Sequence, residues 1–399
     1  MSGSSKIWLS SPHMGDSEQA YVQNAFDTNW IAPLGPHVQE FEEAIESYNG
    51  VKAALALNSG TGAIHLAMDL LDVGPGDHVL VQSFTFCGTV NPVIYRGAQA
   101  VFIDSERDTW NMDPEALKRA IHDLEEQGKL SSIKAILPVH LYGMPAKMDE
   151  LMTIAKTYDI PIVEDAAESL GSSYKGKMTG SFGRMGVYSF NGNKIITTSG
   201  GGALVSDDQE LIDRAFHLST QARDEAPHYQ HSKVGYNYRL SNVLAGIGCG
   251  QMKVLDERVA QRRANFDRYI RFFSDWKAKG FRFGVQEQSE DVFCNRWLSA
   301  LLVDPNDNGG LTREDLRIGM AEDNIECRPL WKPMHMQPVF REVPFYTAEG
   351  KVQDENGKAS VCGDLFEKGL CLPSGSNLSS EDWQRIETKL DELLSKALD

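Results

Sequence analysis

The sequence predicts an α/β fold, with a large domain over residues 1–260 built on a mostly parallel sheet and a smaller α+β domain over residues 261–399. Three observations support this. Between Ala53 and Val205, short apolar runs alternate with segments of helical periodicity, the pattern of strands joined by crossover helices. The strand-like runs are mostly apolar, as in a sheet covered on both faces. A chain of 399 residues is long enough for one large domain and a smaller partner.

Ala53–Leu57 reads as a strand, and Gly60–Leu71 as a helix with Ile64, Ala67 and Leu71 on one face. His78–Val81, Ala100–Ile103, Ile133–Pro138 and Ile160–Glu164 read as further strands. Amphipathic helices are expected between them over Asp113–Gln127 and Met148–Tyr158. Parallel connections of this kind are right-handed, and ligands bind at the carboxyl ends of the strands. Asp165 stands at one such end. Gly186–Phe190 and Gly202–Val205 follow as a hairpin-like pair, with Lys194 on the loop between them. One long helix is expected from Ser241 into the 270s, with Leu244, Met252, Leu255 and Val259 on one stripe. It leads into the C-terminal region, where Pro305–Gly310 reads as a loop tip and residues 341–360 as an exposed excursion.

The formal charge is −17, from 39 basic and 56 acidic residues. Such a surface repels nucleic acid and anionic membranes, so neither is expected as a partner. An anionic substrate then needs a local basic pocket. No window approaches the length of a membrane span. The first five residues carry no apolar signal region and are set aside. Asn377-Leu378-Ser379 fits a glycosylation triplet, which has no meaning without secretion. Cys87, Cys249, Cys294, Cys327, Cys362 and Cys371 are scattered and include no C-x-x-C pair. They read as reduced thiols of a cytoplasmic protein.

The chemistry centres on Ser189-Phe190-Asn191-Gly192-Asn193-Lys194, which sets one amine among small and polar residues. Upstream, Ile160-Pro161-Ile162-Val163-Glu164-Asp165 ends in a carboxylate. A Lys that forms a Schiff base and an Asp that holds a pyridinium proton are the minimal equipment of a pyridoxal phosphate (PLP) enzyme. The same two residues also suit a surface lysine and a strand-end aspartate that never meet. Asn58-Ser59-Gly60-Thr61-Gly62-Ala63 joins a strand to a helix, where small residues and a helix N-terminus can cradle a phosphate. It serves equally as a capped βα turn. Phe86, after the next strand, is either a stacking surface for a planar ring or a core aromatic. Glu168, three residues beyond Asp165, is placed to reach a ring hydroxyl.

Asn237 and Arg239, in Gly235-Tyr236-Asn237-Tyr238-Arg239-Leu240-Ser241-Asn242, are candidates for phosphate contact, with Ser241 or Asn242 as a helix cap. His228 and His231 lack a third ligand at suitable spacing, so no metal site is expected. Arg328-Pro329-Leu330-Trp331-Lys332-Pro333-Met334-His335 can read a nucleotide or sugar, or be an irregular surface loop.

Taken together, these segments resemble the DegT/StrS family of PLP-dependent nucleotide-sugar aminotransferases. The resemblance also runs through Leu9–Gly15, Ala32-Pro33-Leu34-Gly35, His140-Leu141-Tyr142-Gly143 and Cys371–Gly375. It implies the aspartate aminotransferase-like fold, fold type I. Asn191–Gly202 and Ser219–Arg223 look most like bacterial 4-aminotransferases of the PglE type, which act on UDP-4-keto-6-deoxy-N-acetylglucosamine in bacillosamine biosynthesis.

By this resemblance Lys194 would hold the cofactor as a Schiff base, Asp165 would pair with its pyridine nitrogen, and Phe86 would stack on its ring. Ser59, Gly60, Thr61 and Ser189 would hold its phosphate. Asn237 would reach that phosphate from the neighbouring subunit of a homodimer with shared sites. Glu168 stands where many members carry Gln. Arg223, Tyr229, Arg239, Trp331 and His335 would touch the sugar nucleotide. L-Glutamate would be the amino donor. A GDP- or dTDP-linked keto-sugar, amination at C3, and a PLP-binding sensor without turnover are the alternatives.

Overall fold

A computed structural model describes residues 5–352 and 360–398. Most of residues 1–5 and part of the 341–360 segment therefore lie outside the described residues. The central sheet contains strands β1 (Ala53–Leu57), β2 (His78–Gln82), β3 (Gln99–Ile103), β4 (Ile133–Leu137), β5 (Val163–Asp165), β6 (Met185–Ser189), β7 (Gly202–Ser206) and β8 (Phe345–Thr347). Their order is β1-β7-β6-β5 on one side and β4-β2-β3-β8 on the other. Bridges Ile136↔Ile162 and Val139↔Asp165 join the halves. Neighbours pair in parallel except around β7, which runs antiparallel to both β1 and β6. A short strand, Gly350–Lys351, pairs antiparallel to the outer edge of β8.

The apolar runs follow from burial on both faces. Along β1, Ala53, Leu55 and Leu57 enter one core with the helix Gly60–Leu70. Ala54 and Ala56 enter another with Val38, Phe41 and Ile45 of the helix Pro36–Asn49 and Ala245 of the helix Asn242–Met252. On β2, Val79 and Val81 point to the first core. Leu80 points to a third, against the helices Pro114–Glu126 and Met148–Tyr158. Alternate side chains thus leave opposite faces, and both faces need apolar residues.

A second, antiparallel sheet has the order Phe283–Gly284, Ser299–Val303, Gly369–Leu372, Arg328–Pro329. It packs with the helices Leu255–Lys277, Arg313–Glu322 and Ser380–Lys396 around Trp276, Leu316, Trp383 and Leu390. Ser379 caps the last of these in a reciprocal box with Asp382. The expected boundary at residue 260 falls inside the helix Leu255–Lys277.

Three elements differ from expectation. The long helix from Ser241 is two helices, Asn242–Met252 and Leu255–Lys277, parted at Lys253-Val254. Asp256 and Glu257 in the first turn of the second favour a new N-terminus there. The excursion at 341–360 contains a buried strand, β8, because Phe345 and Tyr346 supply an apolar pair that extends the sheet beyond β3. A helix, Cys87–Tyr95, carries Pro92 in its interior and so lacks the usual sequence signature of a helix.

Candidate active site

One cavity of about 780 Å³ opens at the edge where β1, β2, β5 and β6 end and β7 begins. That is where an open α/β sheet places its ligands. Asn58, Ser59, Gly60 and Thr61 line it after β1, and Thr85 and Phe86 after β2. Asp165 and Glu168 line it from β5, and Ser189, Asn193 and Lys194 from β6. The sheet topology thus brings together nearly every residue expected to hold a cofactor.

The turn after β1 is capped, as one of its two expected readings has it. Ser59 is the N-cap of the helix Gly60–Leu70, its Oγ accepting from the Gly62 N–H at 3.0 Å. The first-turn N–H groups of Gly60 and Thr61 have no acceptor within the helix, and this turn packs against the end of β6. A Cβ on Gly60 would press on the Ser189 Cβ at 3.2 Å. At Gly202, where β7 begins, a Cβ would collide with the backbone of Ser59 and Gly60. Only glycine lets the strand pass behind this cup.

Asp165 is buried and oriented. Its Oδ2 accepts from Thr89 Oγ1 at 2.6 Å, and its Oδ1 accepts from the Ala167 N–H at 3.1 Å. Behind it Glu164 is wholly enclosed. Its Oε1 accepts from the Phe182 and Gly183 N–H groups at 2.6 and 2.7 Å. Its Oε2 lies 2.9 Å from His140 Nε2 and accepts from the Gly180 N–H at 2.8 Å. His140 Nδ1 accepts from the Ala146 N–H, which leaves Nε2 as the donor to Glu164.

Lys194 Nζ lies 3.4 Å from Glu168 Oε1 and 4.2 Å from the centre of the Trp297 ring. Burial pushes the Glu168 carboxyl up to about 7, although the Lys194 amine and the Tyr142 N–H both pull it down. The Tyr142 N–H donates to Glu168 Oε2 at 2.6 Å. Phe86 is 58% exposed at the cavity wall, with Trp331 at 5.7 Å between ring centres.

The residues expected at the sugar nucleotide divide. Trp331 lines the cavity, joined there by Arg328, whose guanidinium pairs with Glu326 at 2.6 Å, and by Lys332. His335 stands behind the wall, 2.7 Å from Ser83 Oγ and stacked on Phe345 at 3.7 Å. Arg239 turns away from the cavity, its Nη1 donating to Glu42 Oε1 at 2.6 Å and to the Ala56 carbonyl at 3.0 Å. Arg223, Tyr229 and Asn237 are exposed on the 220–239 loop and do not line this cavity, with Arg223 lying over the Tyr229 ring at 4.5 Å.

Sequence reasoning missed Thr89 and Trp297. Thr89 sits in the unexpected helix, and no spacing links Trp297 to Lys194. Among the described residues no group of three or more His, Cys, Asp and Glu is placed to hold a metal ion, and no helix is long and apolar enough to cross a membrane. All six cysteines are free thiols.

A lysine amine and a strand-end carboxylate at a glycine-lined helix N-terminus define the class of PLP-dependent, fold type I enzymes. The chain belongs to the DegT/DnrJ/EryC1/StrS aminotransferase family, whose model matches residues 12–391. It is 53% identical over 381 residues to EpsN of Bacillus subtilis (strain 168), assigned as a pyridoxal phosphate-dependent aminotransferase, covering 96% of this chain and 94% of that protein. It is 34% identical over 384 residues to the GDP-perosamine synthase of Escherichia coli O157:H7, covering 96% and 97%. Spr1654 from Streptococcus pneumoniae, assigned as a sugar aminotransferase, superposes with a TM-score of 0.84 at 25% identity in its PLP-form, covering 99% of this chain and 100% of that one. Its PMP-form gives the same score.

The protein is a sugar aminotransferase, and its cofactor is pyridoxal phosphate. The donor set fits that group. It offers a primary amine on Lys194, a buried and oriented carboxylate on Asp165, an exposed aromatic face on Phe86, and small residues at a helix N-terminus in Ser59, Gly60 and Thr61 beside Ser189.

Proposed function

We propose that the enzyme transfers the amino group of L-glutamate to C4 of UDP-4-keto-6-deoxy-N-acetylglucosamine. The products are UDP-4-amino-4,6-dideoxy-N-acetylglucosamine and 2-oxoglutarate. The observation that carries the chemistry is the Lys194 amine, held between Glu168 and the Trp297 face on the loop that follows β6. The likeness of Asn191–Gly202 and Ser219–Arg223 to PglE-type enzymes supports the choice of sugar.

Bound pyridoxal phosphate supplies an electron sink that stabilises negative charge on a substrate carbon and carries the amino group between substrates. Ser59, Gly60, Thr61 and Ser189 would bind its phosphate, Phe86 would cover its ring, and Asp165, steadied by Thr89, would hold the proton on its pyridine nitrogen. Lys194 would hold it, and the free Nζ would serve as general base and acid. Its Nζ takes the proton from the α-carbon of glutamate. In the second half-reaction it delivers a proton to C4 of the sugar. Glu168, with its raised affinity for a proton, stands beside Nζ throughout. Arg328 and Lys332 offset the pyrophosphate charge at the mouth, and Trp331 offers a flat surface to the sugar nucleotide.

The working unit in this reading is a homodimer. Phe26, near the end of the helix Glu18–Asp27, and Trp30, Ile31 and Leu34 beyond it expose apolar surface. Asn237, Arg223 and Tyr229 are exposed and do not line this chain's own cavity, which suits them to complete the partner's. A second reading, a GDP-linked 4-keto-sugar as acceptor, is favoured by the likeness to GDP-perosamine synthase. Turnover with UDP- and GDP-linked 4-keto-6-deoxy sugars in parallel separates the two. Faster amination of the GDP sugar would overturn the first.

A further inference from the structure

Transamination requires Lys194 to leave the cofactor and return, so the free amine needs a defined place to wait. We infer that Glu168 and the indole face of Trp297 form that rest, and that Trp297 is a positioning residue for the Lys194 amine. The inference rests on the assignment of Lys194 made above.

The geometry is that of a built site. Lys194 Nζ lies 3.4 Å from Glu168 Oε1 and 4.2 Å from the Trp297 ring centre. A cation over an indole face, beside a carboxylate and out of bulk water, is held by both. The indole also grips the loop that carries the lysine. Trp297 Nε1 donates to the carbonyl of Asn193, the residue before Lys194, at 2.7 Å, and Ser10 Oγ donates to the same carbonyl at 2.7 Å.

Asn295 ties the two halves of the rest together. Its Oδ1 accepts from the Trp297 N–H at 2.8 Å, while its Nδ2 donates to the Glu168 carbonyl at 2.9 Å and the Leu170 carbonyl at 2.8 Å. Glu168 is held from the other side by the Tyr142 N–H. Tyr142 itself adopts a positive φ of 56° just before Gly143, where a Cβ would strike Asn295. From behind, the buried Arg262 guanidinium donates to the Trp297 carbonyl at 2.7 Å and to Ser10 Oγ at 3.0 Å. A side chain recruited only to fill space does not need bonds to the loop, to the carboxylate segment and to the N-terminal arm.

The other charged or titratable groups around the amine are Asp165 from β5, Glu326, Arg328 and Lys332 from the segment at the cavity mouth, and Cys371 on the wall. Tyr142 and Arg262 lie behind Glu168 and Trp297.

The test is competitive acetylation of Lys194 against the exposed lysines in cofactor-free, full-length protein at about pH 8, followed by mass spectrometry. Trp297→Leu removes both the face and the loop bond, and Lys194 is expected to label about threefold faster or more, because the amine loses a holding partner. Trp297→Phe keeps a weaker face and should fall in between, and Glu168→Gln should also speed labelling. In the loaded enzyme, Trp297→Leu should lower kcat with little change in the KM for glutamate, and Trp297→Phe should recover part of the loss. A folded Trp297→Leu protein with the wild-type labelling rate overturns the inference. If that variant does not fold, a wild-type rate in Trp297→Phe overturns it. Loss of the visible cofactor band in Lys194→Ala tests the lysine assignment separately.

Discussion

Glu168 and Glu164 lie four residues apart on one stretch of chain, yet their surroundings give them opposite tasks. Glu164 receives four donors, three of them backbone N–H groups. Glutamine there accepts on one oxygen only and turns an NH₂ toward groups that already donate. Glu164→Gln should therefore cost ~3 kcal/mol of stability, measured by denaturant unfolding of the cofactor-free protein. Glu168 is instead a carboxyl that burial lifts from 4.5 to about 7. Its folded form holds a proton that the unfolded chain has released, so this group costs stability as pH rises from the lower value through the upper one. Glutamine cannot ionise and escapes that loss. Between pH 5.5 and 8, Glu168→Gln should gain about 2 kcal/mol on wild type in the cofactor-free protein. A gap that does not change with pH would contradict the assignment. Lys194 and Asp165 were legible in the sequence because each ends or follows a strand whose apolar run is visible. Trp297 and Thr89 were not, because tertiary packing alone brings them to the amine and the carboxylate.

At the scale of elements, the site depends on how closely β7 passes the turn after β1. Gly202→Ala would push a methyl group into the backbone of Ser59 and Gly60. Crowding of this kind costs about 1–3 kcal/mol. Here it also spreads the phosphate cup, so cofactor affinity should fall along with stability. Loss of stability with unchanged affinity, read by absorbance titration with PLP, would show that the cup does not depend on this contact. The strands β1 to β5 were readable because burial on both faces leaves mostly apolar runs in and beside them. The helix Cys87–Tyr95 and strand β8 were not. Pro92 disguises the first, and only pairing with β3 makes a strand of the short apolar stretch at the second. The break at Lys253-Val254 also escaped notice, because the apolar stripe continues across it.

For the whole molecule, the account predicts sites shared between two subunits. Lys194→Ala and Asn237→Ala should each be inactive or nearly so alone. Mixed and allowed to exchange subunits, they should recover roughly a quarter of wild-type activity, since half the dimers carry one intact site of two. No recovery, with exchange shown by mass spectrometry, would place each site within one chain.

The most direct test of the central claim is the absorption spectrum of the PLP-loaded protein before and after L-glutamate. The account predicts a yellow protein whose visible band disappears with the donor and returns when the keto-sugar is added, with Lys194→Ala never showing that band. A protein that never turns yellow, or one whose colour ignores glutamate, would contradict it.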